Sequence, residues 1–120
     1  MTPEKFTEQA QEVLAASQEL VRRYQHSQWD VEHILLALLE QEKGITRDIL
    51  QKLGVDIETV KSRVEAILRG FPKVAYEGTQ IYATPRIARL LENARQEADR
   101  LKDEFISTEH LLIAIAGEGR

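Results

Sequence analysis

Glu32-His33-Ile34-Leu35-Leu36-Ala37-Leu38 returns 77 positions later as Glu109-His110-Leu111-Leu112-Ile113-Ala114-Ile115. The chain therefore carries two copies of one unit, and a duplicated unit implies a pseudo-twofold arrangement. Sliding residues 7–40 onto 84–117 needs no gap. It sets Ala10, Val13, Leu14, Val21 and Tyr24 on Ile87, Leu90, Leu91, Ala98 and Leu101. Spacings of three, four and seven are those of a helix buried on one side and exclude a strand. Each copy thus begins with an amphipathic helix and continues into a shorter apolar one. Outside the aliphatic positions the identities are mostly polar: Thr7 with Thr84, Arg23 with Arg100, Glu32 with Glu109, His33 with His110.

Around this repeat the elements follow from local signals. Thr2 and Pro3 read as an N-cap and first helical residue, which starts the first helix ahead of Thr7; its stripe of Phe6, Ala10, Val13, Leu14, Val21 and Tyr24 runs to about His26. Asp30 caps a second helix, apolar almost all round over 34–39 and so central to the fold. Ile45, Ile49, Leu50 and Leu53 stripe a third helix ended by Gly54. Asp56 caps a fourth, with Val55 and Val60 placed as a staple and Val64, Ile67 and Leu68 continuing to Gly70. Residues 71–83 hold Pro72 and Gly78 without a helical period and form the linker, with brief extended pairing expected around 73–76. Thr84 and Pro85 repeat the cap-and-proline signal, and Ser107 caps a sixth helix ending near Ala116. The expectation is one all-α domain over 1–120: repeat one at 1–70, the linker at 71–83, and repeat two at 84–120. By the repeat's own logic two helices of copy two are absent, so the surfaces they would cover are expected to be partly bare, each large aliphatic side chain forfeiting about 1.5 kcal/mol or more of burial.

Composition narrows the function. At 120 residues, 42% hydrophobic and 30% charged, the chain suits a single globular core. A formal charge of −4 with interspersed signs argues against a nucleic-acid partner, which needs a basic stripe. There is no Cys, so no disulfide, thiolate metal site or thiol nucleophile is available. No apolar run exceeds 34–39, so no membrane span or signal peptide is expected and the chain reads as cytoplasmic. No phosphate loop opens at Gly44 or Gly70, and His26, His33 and His110 form no metal set. Glu32-His33 and Glu109-His110 are sequence neighbours, about 100° apart on a helix, which spoils them as catalytic dyads. The histidines read as part-buried groups at helix starts, and Trp29 as a plug between the first two helices. No catalytic constellation remains and no enzyme is expected.

Two readings of the repeated polar residues stay open. A carboxylate in a helix's first turn gains about 0.3–1 kcal/mol from the macrodipole, and a Thr there is a natural cap. Equally, a Thr and a Glu kept in both copies make two matching polar sites, suited to a cationic or amide-rich peptide, with nearby helix N-termini able to accept an anion.

The doubled helix pair, Gly54-Val55-Asp56, Phe71-Pro72-Lys73-Val74 and Asp103-Glu104-Phe105-Ile106-Ser107-Thr108-Glu109-His110 together resemble the N-terminal domain of Clp AAA+ chaperones and unfoldases. The resemblance covers the whole chain and is closest to the ClpB-type disaggregase, with the ClpC-type domain as near neighbour. It implies two pseudo-symmetric helical repeats tethered to an ATP-driven hexameric ring that threads polypeptides. This chain would be the receptor, holding no cofactor of its own, while ATP and Mg belong to the motor. In the ClpB-like case the residues implied for unfolded or aggregated polypeptides are Thr7, Asp103 and Glu109, beside an apolar groove including Leu91. In the ClpC-like case Thr7 with Glu32 and Thr84 with Glu109 would read phosphoarginine or meet adaptor proteins.

Overall fold

The computed structural model describes residues 5–75 and 80–118. Among these are six helices and two short strands in the order α1 (Glu8–Arg23), β1 (Gln28–Trp29), α2 (Val31–Glu40), α3 (Ile45–Lys52), α4 (Ile57–Arg69), β2 (Tyr82–Ala83), α5 (Pro85–Arg100) and α6 (Thr108–Ala116). The all-helical, duplicated architecture expected from the repeat is present.

The first helix differs from expectation at both ends. Thr2 and Pro3 lie outside the described residues, and α1 begins at Glu8, because Thr7 Oγ1 accepts the Ala10 N–H at 3.1 Å and caps the helix. Phe6, assigned from the sequence to the helical stripe, precedes it in a parallel bridge to Ile106 and is buried there. At the C-terminus α1 stops at Arg23 rather than at about His26. Gln25 turns into the left-handed region at φ 61°, its N–H donating to Arg22 O (3.0 Å) and that of His26 to Val21 O (2.9 Å), the paired bonds of a Schellman turn. α5 closes identically: Lys102 has φ 59°, with Lys102 N–H on Asp99 O (3.0 Å) and Asp103 N–H on Ala98 O (2.8 Å). Neither turn carries the Gly that would have marked it in the sequence.

α2 occupies the centre as its all-round apolarity requires, with Ile34, Leu36, Leu38 and Leu39 all buried. α1 and α4 pack on it, and α5 packs on α6. The expected α3 stripe turns inward only in part: Thr46 is buried, Ile49 and Leu50 are half-buried, and Ile45 and Leu53 face solvent. Gly54 ends α3 at φ 76°, and Asp56 stands at the start of α4, where its carboxylate accepts from the Thr59 hydroxyl. On α6, Ile113 is 39% exposed whereas its counterpart Leu36 is 0% exposed. The difference is the cover that α4 lends to α2 and that no described helix lends to α6.

Regular pairing falls later than the 73–76 stretch suggested. Val74 N–H donates to Gln25 O (2.8 Å), but the two-stranded sheet pairs β1 with β2 in parallel, Gln28 with Tyr82 and Trp29 with Ala83. The segment 76–79, with Gly78, lies outside the described residues. Shifted by one repeat, Trp29 with Ala83 becomes Ile106 with Phe6, the bridge already described. Each copy's lead-in strand therefore pairs with the corner of the other copy, and the two repeats interlock about a pseudo-twofold. Trp29, expected as a corner plug, is half-buried in β1 and donates its indole N–H to Ser17 Oγ at 2.9 Å.

A non-glycine residue in the left-handed region carries a steric cost of about 1–2 kcal/mol, part of which Gly returns through its own unfolded-state entropy. Lys102→Gly is accordingly expected to stabilise the fold by about 0.5–1 kcal/mol, read as a raised urea midpoint at unchanged m-value.

Candidate functional site

The starts of α2 and α6 are partly buried, so first-turn N–H groups turned from solvent need partners inside the protein. Asp30 and Ser107, the expected caps, each form a capping box whose third helical residue is a histidine. Asp30 N–H donates to His33 Nδ1 at 3.0 Å, and Ser107 N–H donates to His110 Nδ1 at 2.8 Å. Because Nδ1 accepts, the ring proton sits on Nε2 in both copies. From there His33 reaches His26 Nδ1 at 2.8 Å, and His110 reaches Asp103 Oδ2 at 2.8 Å. His26 and Asp103 are themselves equivalent positions, one residue beyond the left-handed turns. All three histidines are fully buried rather than part-buried. The sequence concealed this role because a capping box is sought with Glu or Gln at its third helical position.

Phe71 lies over the pair in copy one, its ring centroid 5.3 Å from that of His26 and 5.9 Å from that of His33. Asp103 has no such roof among the described residues, and its side chain is 51% exposed. Burial, followed by the neighbouring His26, pushes the His33 pKa down to about 4, and burial also lowers that of His26.

The Phe6–Ile106 bridge brings the polar residues of copy one and copy two together. Thr7 N–H donates to Ile106 O at 2.9 Å, which sets Thr7 beside the start of α6. Thr7, Glu8, Gln9, Ile45, Ser107, Thr108 and Glu109 line a shallow hollow of about 380 Å³. Glu109 is half-buried and has no ion-pair partner among the described residues. On the other side of the bridge, Asp103 lines a second hollow of about 180 Å³ with Lys5, Arg95, Ala98, Asp99, Glu104 and Ile106. Leu91 is half-buried against the core, one helical turn before Arg95 on α5, and belongs to neither hollow. Thr7 thus shares a hollow with Glu109, not with Glu32 as the paired reading expected, while Asp103 lines the other hollow and Leu91 lines neither.

The pseudo-equivalent arrangement at the start of α2 is closed. Thr84 N–H donates to Trp29 O at 3.0 Å, but its hydroxyl donates to Asp30 Oδ1 at 2.9 Å instead of capping α5. Arg86 fills the space in front of Glu32. Its Nη1 lies 3.0 and 3.3 Å from the Glu32 oxygens and 3.2 Å from Asp30 Oδ1. Its Nε and Nη2 meet the Glu118 carboxylate at 2.9 and 2.5 Å. The Glu118 bonds first, and those of Glu32 after them, raise the Arg86 pKa against the opposing effect of burial. Sequence reasoning passed over Arg86. Its signal was a cation in the first turn of a helix, where the macrodipole disfavours it unless acids stand nearby.

Among the described residues no group of three or more His, Asp or Glu side chains could hold a metal ion, and no helix is long and apolar enough to cross a membrane. The polar groups gathered here are helix starts, hydroxyls and carboxylates around shallow hollows.

The class is a small helical domain built from two repeats interlocked by their lead-in strands. The chain belongs to the Clp repeat (R) N-terminal domain family, whose model matches residues 5–120. It is 42% identical over 118 residues to "Chaperone protein ClpB 1" of Synechocystis sp., a match that takes 98% of this chain but only 13% of that protein's length. The fold is also that of the Hsp104 N-terminal domain from Candida albicans, with a TM-score of 0.85 at 18% identity over 95% of this chain and 75% of that one. A ClpV N-domain in complex with a VipB peptide matches with a TM-score of 0.81 at 20% identity, over 96% of this chain and 69% of that one.

The histidine box of the first copy carries a pH signature. A base whose pKa is lower folded than unfolded binds fewer protons in the native state between the two values, so stability rises with pH across that window. With His33 at about 4 against 6.5 unfolded, its contribution is whole above about pH 6.5 and lost as the pH falls toward 4. Urea midpoints measured from pH 7 to 4 should fall, and His33→Gln, which keeps an acceptor for the Asp30 N–H without titrating, should flatten that fall.

Proposed function

We propose that this chain is the substrate-binding N-terminal domain of a ClpB-type AAA+ disaggregase, one receptor module over 1–120 that captures unfolded or aggregated polypeptides for an ATP-driven motor outside the chain. The observation that carries this reading is the meeting of Thr7 and Glu109 in one hollow, with the Glu109 carboxylate unpaired among the described residues and Ile45 exposed on the rim. The 42% identity to a protein named as a ClpB chaperone supports the subfamily, and the peptide complex of a similarly folded N-domain supports the ligand class.

The chemistry suits loose capture. A shallow hollow offers few desolvated anchors, so binding energy is small and little sequence is read. Affinities of about micromolar or weaker follow. A receptor of that strength raises the local concentration of client near a motor without resisting its pull. The other reading, a symmetric phosphoarginine or adaptor receptor of the ClpC type using Thr7, Glu32, Thr84 and Glu109, needs two equivalent faces. The Arg86 guanidinium standing on Glu32 weighs against it.

The test is an amide-resolved NMR titration with a permanently unfolded polypeptide and, separately, with phosphoarginine. Shifts around Thr7, Leu91, Asp103 and Glu109 with the polypeptide are expected. Glu109→Ala should weaken binding roughly tenfold, the scale of one lost charge-assisted contact, and Leu91→Ala should weaken it while the domain stays folded. Unchanged binding in both folded variants would refute this placement, and paired shifts near Glu32 and Glu109 with phosphoarginine alone would favour the ClpC-type reading.

A further inference from the structure

The two faces keep their Thr and Glu and differ around them. One repeat apart, Thr7 corresponds to Thr84, Glu109 to Glu32, Ser107 to Asp30 and Gln9 to Arg86. In the first face the Glu109 carboxylate meets no cation among the described residues. In the second, one guanidinium is gripped from both sides. Glu118 takes Nε and Nη2 in a fork, while Glu32 and Asp30 take Nη1, and the Thr84 hydroxyl is spent on Asp30. Such a two-toothed guanidinium–carboxylate contact is among the stronger polar contacts a protein makes. Arg86 holds this place although the first turn of α5 disfavours a cation, and its side chain is only 33% exposed. Three carboxylates are thereby turned onto a residue that the other copy replaces with Gln9, and the Thr84 hydroxyl is tied to one of them.

We propose that Arg86 is a built-in occupant of the second copy of the binding site. It closes the Glu32 face, leaves Thr7 and Glu109 as the single open face, and displays the ligand chemistry that the open face takes from a client, the side chain of an arginine. The inference deepens the receptor reading above and rests on it for the open face alone. The closed face stands on its own geometry. It predicts that a domain with two copies of a site binds at one. It also makes the Glu118 arm the element that holds the second face shut, since Glu118 supplies two of the contacts on the guanidinium.

The experiment uses the whole 120-residue chain with the arginine probe N-acetylarginine amide, and N-acetyllysine amide as a cation without the planar fork. For the unaltered protein, amide shifts should be confined to residues 7–9 and 107–110 and fit one site. Arg86→Gln, which copies Gln9, should add a second set at 30–33 and 84–87 and raise the stoichiometry from one to two. Glu109→Gln should erase the first set only. Glu118→Gln keeps Arg86 but removes half its grip, so solvent exchange of the Arg86 Nε–H should quicken and the second set should appear in part. A well-folded Arg86→Gln protein with no second set would overturn the occlusion, as would unchanged Nε–H exchange in Glu118→Gln. Equal shifts with the lysine probe would overturn the guanidinium preference. A second set in Arg86→Gln without any first set in the unaltered protein would instead leave the occlusion standing and sink the receptor reading of Thr7 and Glu109.

Discussion

A helix whose start is partly buried must find partners within the protein for the N–H groups turned from solvent, and α2 and α6 both start in this way. His33 and His110 meet that demand from the third helical position, each accepting the N–H of its own cap residue. A Glu would have served the same bond on a surface helix, but a buried carboxylate brings an uncompensated charge with it, whereas an imidazole can be neutral. The imidazole also has a second ring nitrogen. That nitrogen reaches back to His26 or Asp103, just past the left-handed turn closing the preceding helix. One side chain per repeat therefore ties the end of a helix, the corner after it and the start of the next.

With the corners held, the lead-in strands have a fixed edge to meet, and they meet the edge of the other copy. The parallel pairings of Trp29 with Ala83 and of Phe6 with Ile106 are one contact made twice. Their consequence is functional as well as architectural. Each puts the Thr that begins the long helix of one repeat against the Glu that begins the short helix of the other, so every polar face is built from both copies. The duplication predicts two such faces, and the backbone supplies two.

Divergence between the copies then makes the faces unequal. Phe71 roofs His26 while Asp103 stays half-exposed. Gln9 leaves Glu109 open while Arg86 closes Glu32. Exposed aliphatic surface gathers around the open end, with Ile45 and Ile113 both substantially accessible. On the receptor reading proposed above, an accessible carboxylate and hydroxyl beside apolar surface would suit a client that presents mixed side chains and must later be released.

Much of this was legible in the residues, because the relevant signals are local or repeated. The helices, the caps at Asp30 and Ser107, the burial of α2 and the end of α6 follow from periodicity and from an internal copy that checks each assignment twice, whereas Thr84, expected as a cap, spends its hydroxyl on Asp30. The likeness to Clp N-terminal domains rested on contiguous motifs and is matched over residues 5–120. What the residues concealed were non-local or atypical choices. Gln25 and Lys102 occupy left-handed turns where Gly is the usual marker. Histidine stands in for Glu in the capping boxes. Strand pairing joins segments more than fifty residues apart. Thr7 caps α1 and also lines the open hollow, a position that spacing along the chain does not show. The sequence by itself determined the duplication, the helices and which polar residues recur, since these depend on spacing along the chain. Only the tertiary structure decided that Arg86 lies on Glu32 while Glu109 stays open, since the reach of a long side chain depends on which acids the fold gathers around it.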